Sequence, residues 1–140
     1  MVNPSENQSS NHFISGLYLV ATPIGNLQDI TLRALELLKK ADLIACEDTR
    51  VSGKLLSYFG IKTQLISYND HSDERKREKI LSALSENKIV ALMSDAGMPL
   101  ISDPGYKLTK EVSDQGYYVT SLPGASAPLM ALQLSALPSD

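Results

Sequence analysis

Two acidic segments of this chain carry side chains able to move a proton. "CEDTR", residues 46–50, sets Glu47, Asp48 and Arg50 together, and "SDAGMPLISDPG", residues 94–105, opens with Asp95 and holds a second acid, Asp103. Two carboxylates beside an arginine can orient a polar substrate or take a proton from it. The same residue types also start helices: Asp48 or Thr49 serves as an N-cap, with Arg50 paired to a carboxylate. Spacing alone leaves both readings open. The 94–105 segment differs in kind, because its two prolines and two glycines restrict the backbone so far that little ordering entropy is lost when a ligand docks. Asp103 as cap and Pro104 in the first turn of a following helix explain "SDPG" and leave "DAGMP" without a purely structural account.

Other polar segments carry weaker signals. "TPIGN", residues 22–26, combines the fixed φ of Pro23 with Gly25, which permits a turn or a close approach. "PGAS", residues 123–126, puts Ser126 at a helix start, where backbone N–H groups point outward and where helix capping also favours serine. His71, in "YNDHSD", is a lone histidine among helix-starting acids, and no metal site emerges. Neither G-x-G-x-x-G nor G-x-x-x-x-G-K-[ST] occurs, which removes the best support for a dinucleotide fold or a P-loop. The run over 73–88 carries five basic and four acidic side chains, the pattern of a solvated helix face.

The elements that must position these residues alternate along the chain. Residues 17–22, 43–48, 63–69, 89–95 and 117–122 are short, apolar and mostly ended by Pro, Gly, Asn or Asp, and predict five strands. Helices are predicted over 32–40, 49–59, 73–87, about 104–115 and 126–137. Leu32, Leu35 and Leu38, and likewise Ile80, Leu81 and Leu84, form apolar stripes; Ser72 and Asp73 begin the third helix, and Gly60 and Gly116 end the second and fourth. Such alternation implies an α/β architecture: a five-stranded, mainly parallel sheet with helices on both faces. In such sheets ligands bind beyond the carboxyl ends of the strands, where all five polar segments fall.

Composition bounds the rest. The 140 residues, 43% of them hydrophobic, suffice for one domain over 16–140, with residues 1–15 a polar, disordered tail. A formal charge of −3 argues against RNA as a partner of this piece alone. Cys46, the single cysteine, allows no internal disulfide, and neither a secretory signal nor a run of about 20 apolar residues is found, so a cytoplasmic setting without a membrane is expected.

"LYLVATPIGNLQDITLRALELLKKADLIACEDTR", "SDAGMPLISDPG" and "LPGASA", in this order, resemble the N-terminal domain of the tetrapyrrole methylase superfamily, from about Gly16 to the last residue. Within it they are similar to the branch that methylates the ribose 2′-hydroxyl of a cytidine in 16S ribosomal RNA. The porphyrinoid branches carry G-x-G-P-G and G-D-P where this chain has "TPIGN" and "DAGMP". The resemblance implies S-adenosylmethionine as methyl donor, held by Pro23 and Gly25, by Ala96, Gly97, Met98 and Ile101, and by Ser126. It implies ribosomal RNA or the small ribosomal subunit as substrate, no metal, and a second α/β domain that this chain does not supply. Methyl transfer from a sulfonium requires near-attack geometry and a base for the hydroxyl, roles that fall to Asp48 or Asp95, with Arg50 steering a phosphate. Two alternatives stand beside this: methylation of a porphyrin- or corrin-like acceptor, and a non-catalytic assembly module. Apolar surface left bare in a single domain favours association, and a homodimer is expected.

Overall fold

The computed structural model describes residues 12–69, 71, 74–101 and 105–138. Its core is a five-stranded sheet built from β1 (Gly16–Val20), β2 (Leu43–Cys46), β3 (Leu65–Ser67), β4 (Ile89–Met93) and β5 (Val119–Leu122). Spatial order is β3-β2-β4-β1-β5, and each of the four adjacent pairs is parallel. The helices are α1 (Leu32–Lys40), α2 (Thr49–Tyr58), α3 (Glu74–Ser85), α4 (Tyr106–Asp114) and α5 (Ala127–Leu134), with a 3-10 turn at Leu27–Asp29.

The period-2 alternation of a strand decides which helix lies on which face. Tyr18, Val20, Ile44, Cys46, Ala91 and Met93 join Ala34, Leu37 and Leu38 of α1 and Leu55 and Leu56 of α2 in one core. Their neighbours Leu17, Leu43, Ala45, Val90 and Leu92 join α3 through Ile80, Ala83 and Leu84, and α4 through Leu108 and Val112, in the other. Burial on both faces explains why β2 and β4 read as unbroken apolar runs. The helical stripes are partly redrawn. On α1 the buried face is Ala34, Leu37 and Leu38, while Leu32, in the first turn, is 85% exposed. On α5 no residue is buried.

Local chemistry sets the helix ends. Thr31 caps α1, its side chain accepting from the Ala34 amide, and Asp48 caps α2 by accepting from the Arg50 amide. Gly60 and Gly116 follow the last residues of α2 and α4 with φ of 66° and 81°. The fourth helix departs from expectation: it starts at Tyr106 with Gly105 at the N-cap and no side-chain cap. A Cβ on Gly105 would stand 2.7 Å from Leu100 Cδ2, so close packing rather than capping fixes that residue. The Asp103 and Pro104 expectations, and those for Ser72 and Asp73, lie outside the described residues. Residues 12–15, assigned to the tail by sequence, pack on the domain: Phe13 sits edge-on to Tyr18 at 5.8 Å, and the Tyr18 hydroxyl donates to Ile14 O.

The connections create a crevice. From β1 the chain crosses by α1 toward β2, and from the neighbouring β4 it crosses by α4, on the opposite face, toward β5. Adjacent parallel strands whose loops leave in opposite directions make a topological switch point, where open α/β sheets bind ligands.

Candidate functional site

The loops after β1 and β4 meet at this crevice and are joined. Thr22 N donates to Gly97 O at 2.8 Å and Gly97 N to Thr22 O at 3.0 Å, an isolated antiparallel bridge beyond the parallel sheet. Thr22 Oγ1 lies 3.2 Å from Ser94 O, and Ser94 Oγ lies 3.1 Å from Gly97 O. Thr22 and Ser94 are 2% and 3% exposed, so these hydroxyls satisfy loop carbonyls away from water. Gly97 has φ 79°, and a Cβ there would press on Ile24 Cγ2 at 3.3 Å. That accounts for the glycine of "DAGMP": only a residue free of Cβ sterics adopts this backbone against the "TPIGN" loop.

Cavities flank the joined loops. On one side, a space of about 170 Å³ is lined by Ala96, Gly97, Met98, Ile101 and Ser126, together with the start of α5. Ser126 precedes α5 but makes no side-chain capping bond, so its hydroxyl is not spent on the helix. On the other side, a cavity of about 480 Å³ opens between α2 and the ends of β1 and β4, with Pro23, Ser94 and Asp95 among its walls. Four consecutive residues therefore separate the two spaces: Ser94 and Asp95 face one, Ala96 and Gly97 the other.

The two candidate carboxylates are placed differently. Asp48 is bound by Arg50, whose Nε and Nη2 donate to Oδ1 and Oδ2 at 3.1 and 2.7 Å, and it also caps α2. Hydrogen bonds from the Arg50 guanidinium and amide hold its carboxyl down at about 2. Asp95 reaches the cavity wall while its Oδ1 accepts from the Asp48 amide at 3.1 Å, which fixes its orientation. Cys46 is buried in the core, and burial pushes its thiol up, which suits packing rather than reactivity. Gly25, at φ 135°, has open space around it and lines neither cavity. His71 lies in an exposed turn, its amide bonded to Asn69 Oδ1.

The sequence reading thus brought Ala96, Gly97, Met98, Ile101 and Ser126 to one place, and Pro23 and Asp95 to the adjoining one. It missed Lys54 and Tyr58, which line the larger cavity from α2. Their spacing from Arg50, four and eight residues, was a usable signal. Two cations of the charged run of α3 find partners within it and on neighbouring elements: Arg77 bridges Glu74 and, on α4, Glu111, and Lys76 donates to Ser67 Oγ of β3. Among the described residues no group of three or more His, Cys, Asp or Glu side chains gathers, and no helix is long and apolar enough to cross a membrane.

Comparison with known proteins bears on the family and the fold. "Ribosomal RNA small subunit methyltransferase I" of Rickettsia prowazekii (strain Madrid E) is 56% identical over 126 residues, covering 90% of this chain and 45% of that protein. The protein of the same name from Escherichia coli O157:H7 is 50% identical over 135 residues, 96% of this chain and 47% of that one. The chain thus spans a little under half the length of these curated relatives. Uroporphyrin-III-C-methyltransferase from Thermus thermophilus superposes with a TM-score of 0.66 at 22% identity, over 89% of this chain and 54% of that one. Diphthine synthase superposes at 0.67 and 19%, over 87% and 49%. These two show the shared fold. The family model for tetrapyrrole (corrin/porphyrin) methylases matches residues 16–140, and the chain belongs to that family.

Proposed function

We propose that this chain is the N-terminal half of an S-adenosylmethionine-dependent methyltransferase acting in the cytoplasm on the ribose 2′-hydroxyl of a cytidine in 16S ribosomal RNA. The observation that carries the reading is the pair of cavities meeting along residues 94–97. Methyl transfer needs donor and acceptor in adjoining sites with their reacting atoms in line. The names and identity of the curated relatives supply the substrate class.

The residues of the smaller cavity fit one end of the donor. Ligand pockets for molecules of this size run to roughly 300–1,000 Å³, so a space of about 170 Å³ takes only part of it. Met98 and Ile101 offer apolar contact, Ser126 an uncommitted hydroxyl, and Gly97 the close backbone approach. The bound donor supplies an activated methyl group on a sulfonium sulfur. Asp95, facing the larger cavity, accepts the proton of the ribose hydroxyl; Arg50, held by Asp48, meets a phosphate; Pro23 shapes the wall between them. Gly25, at φ 135°, turns the first loop so that Pro23 before it and Leu27 after it both reach the larger cavity.

A homodimer is part of this reading, supported by the apolar side chains left exposed on α5, among them Leu129 and Leu134, and by Leu137 just after it. Titration calorimetry of S-adenosylmethionine against this chain, and against a form extended to the relatives' full length, tests the donor site. Binding to the extended form with a 1:1 site is expected; binding to neither overturns the proposal.

A further inference from the structure

The face of α2 that borders the larger cavity is not explained by packing or by the donor site. Positions 50, 54 and 58 recur every four residues and so share one stripe, about 6 Å apart along the helix axis. The helix is seated through Ser52, Leu55 and Leu56, of which Ser52 and Leu55 also reach the cavity wall. The stripe itself points out: the Arg50 side chain is 86% exposed, Lys54 is exposed, and Tyr58 is 68% exposed.

Each member has unused binding capacity. Arg50 spends two of its five N–H donors on Asp48, which fixes the plane of the guanidinium and leaves the others free to meet an anion. Lys54 makes no salt bridge with a described residue. Tyr58 is propped edge-on against Phe59 at 4.9 Å and 83°, so its ring is held in place with surface to spare. Val51 and Leu27 add half-exposed apolar area on the same cavity, and Asp95 lies within its wall.

Two cations followed by an aromatic ring along one stripe match the chemistry of single-stranded nucleic acid, which offers phosphates on one side and base faces on the other. We propose that Lys54 and Tyr58, which line the acceptor cavity, together with Arg50 one turn earlier on the same stripe and outside the lining, form an RNA-docking edge, the two cations taking phosphates and the tyrosine taking the face of a base in the unpaired segment that carries the target ribose. The assignment rests on the methyl-transfer reading and adds the surface that the substrate follows into the site. In a chain of net charge −3, with Arg50 matched by Asp48, Lys54 is the cation on this edge that makes no salt bridge with a described residue.

The test uses the protein extended to the relatives' full length, with 16S ribosomal RNA as substrate, and reads methyl transfer over a range of salt. Lys54→Ala is expected to raise the KM for RNA about tenfold, and to reduce the slope of log KM against log salt by about 1, as loss of one phosphate contact does. Tyr58→Ala is expected to raise that KM by about 5- to 100-fold, the range of one lost base stack, and Tyr58→Phe to restore it. The KM for S-adenosylmethionine and the melting temperature should stay within experimental error, since both side chains are exposed. An RNA KM within twofold of the parent for both alanine variants, or an unchanged salt slope for Lys54→Ala, overturns the docking edge and leaves the methyl-transfer reading standing. A parent that methylates no RNA overturns both.

Discussion

At the residue scale, the two aspartates near α2 sit in different surroundings, and the roles proposed for them differ accordingly. Asp48 is committed to Arg50 and to the helix end, and its carboxyl is held at about 2, too weakly basic to draw a proton from a ribose hydroxyl at neutral pH. A carboxyl lowered on folding stabilises the native state above its unfolded pKa of about 4 and loses that contribution as pH falls through its folded value. Asp48→Asn should therefore melt below the parent at a constant offset from pH 6 down to about 4, with the gap closing toward pH 2. Melting curves across that range check it; an offset independent of pH would mean the ion pair contributes nothing. Asp95, anchored by one oxygen and facing the cavity, carries the opposite expectation. Asp95→Asn in the extended enzyme should lower kcat by about 10²- to 10⁴-fold, as loss of a general base does, with donor affinity unchanged. Turnover equal to the parent removes Asp95 from the mechanism.

At the element scale, the joined loops after β1 and β4 explain why a run of prolines and glycines sits in mid-domain. Gly97→Ala forces a side chain into the left-handed region at φ 79° and against Ile24, at a cost of about 1–2 kcal/mol. The expected result is a matching loss in denaturant unfolding, and a donor affinity weaker by about tenfold. Parent-like values in both would show that the loop relaxes without consequence. The order and type of the strands and helices were legible from sequence, because apolar period and turn residues mark each element, while their bounds were less so: β3 is Leu65–Ser67 against 63–69 and β5 Val119–Leu122 against 117–122. The bridge between Thr22 and Gly97 was not, since it joins residues distant in sequence and the sheet order that brings them together has no local signal. The stripe on α1 differs from the sequence expectation for a related reason: Leu32 fits the helical period but opens the helix and is 85% exposed, while Ala34, Leu37 and Leu38 are buried. The start of α4 was misread because Gly105 is fixed by a contact with Leu100 rather than by capping chemistry.

At the scale of the whole molecule, four of the five α-helices among the described residues are seated on the sheet, while α5 buries none of its side chains. Leu129, Met130, Leu132 and Leu134 of α5 and the following Leu137 are 41–87% exposed, an apolar surface of the kind that seeks a partner. Sedimentation of this chain should show self-association, and replacing Leu129 and Leu134 with Gln should shift it toward the monomer; a parent that is monomeric at high concentration argues against the homodimer. The order of the sheet has a further bearing, on synthesis. β4 lies at the centre between β1 and β2, and Gly16 of β1 pairs with Ile89, so the first strand made waits for one that emerges 73 positions later. At translation speeds of about 5–20 residues per second that delay is roughly 4–15 s. Throughout it the nascent chain holds an apolar strand without its main neighbour, a window in which chaperone contact rather than native pairing must keep it from aggregating.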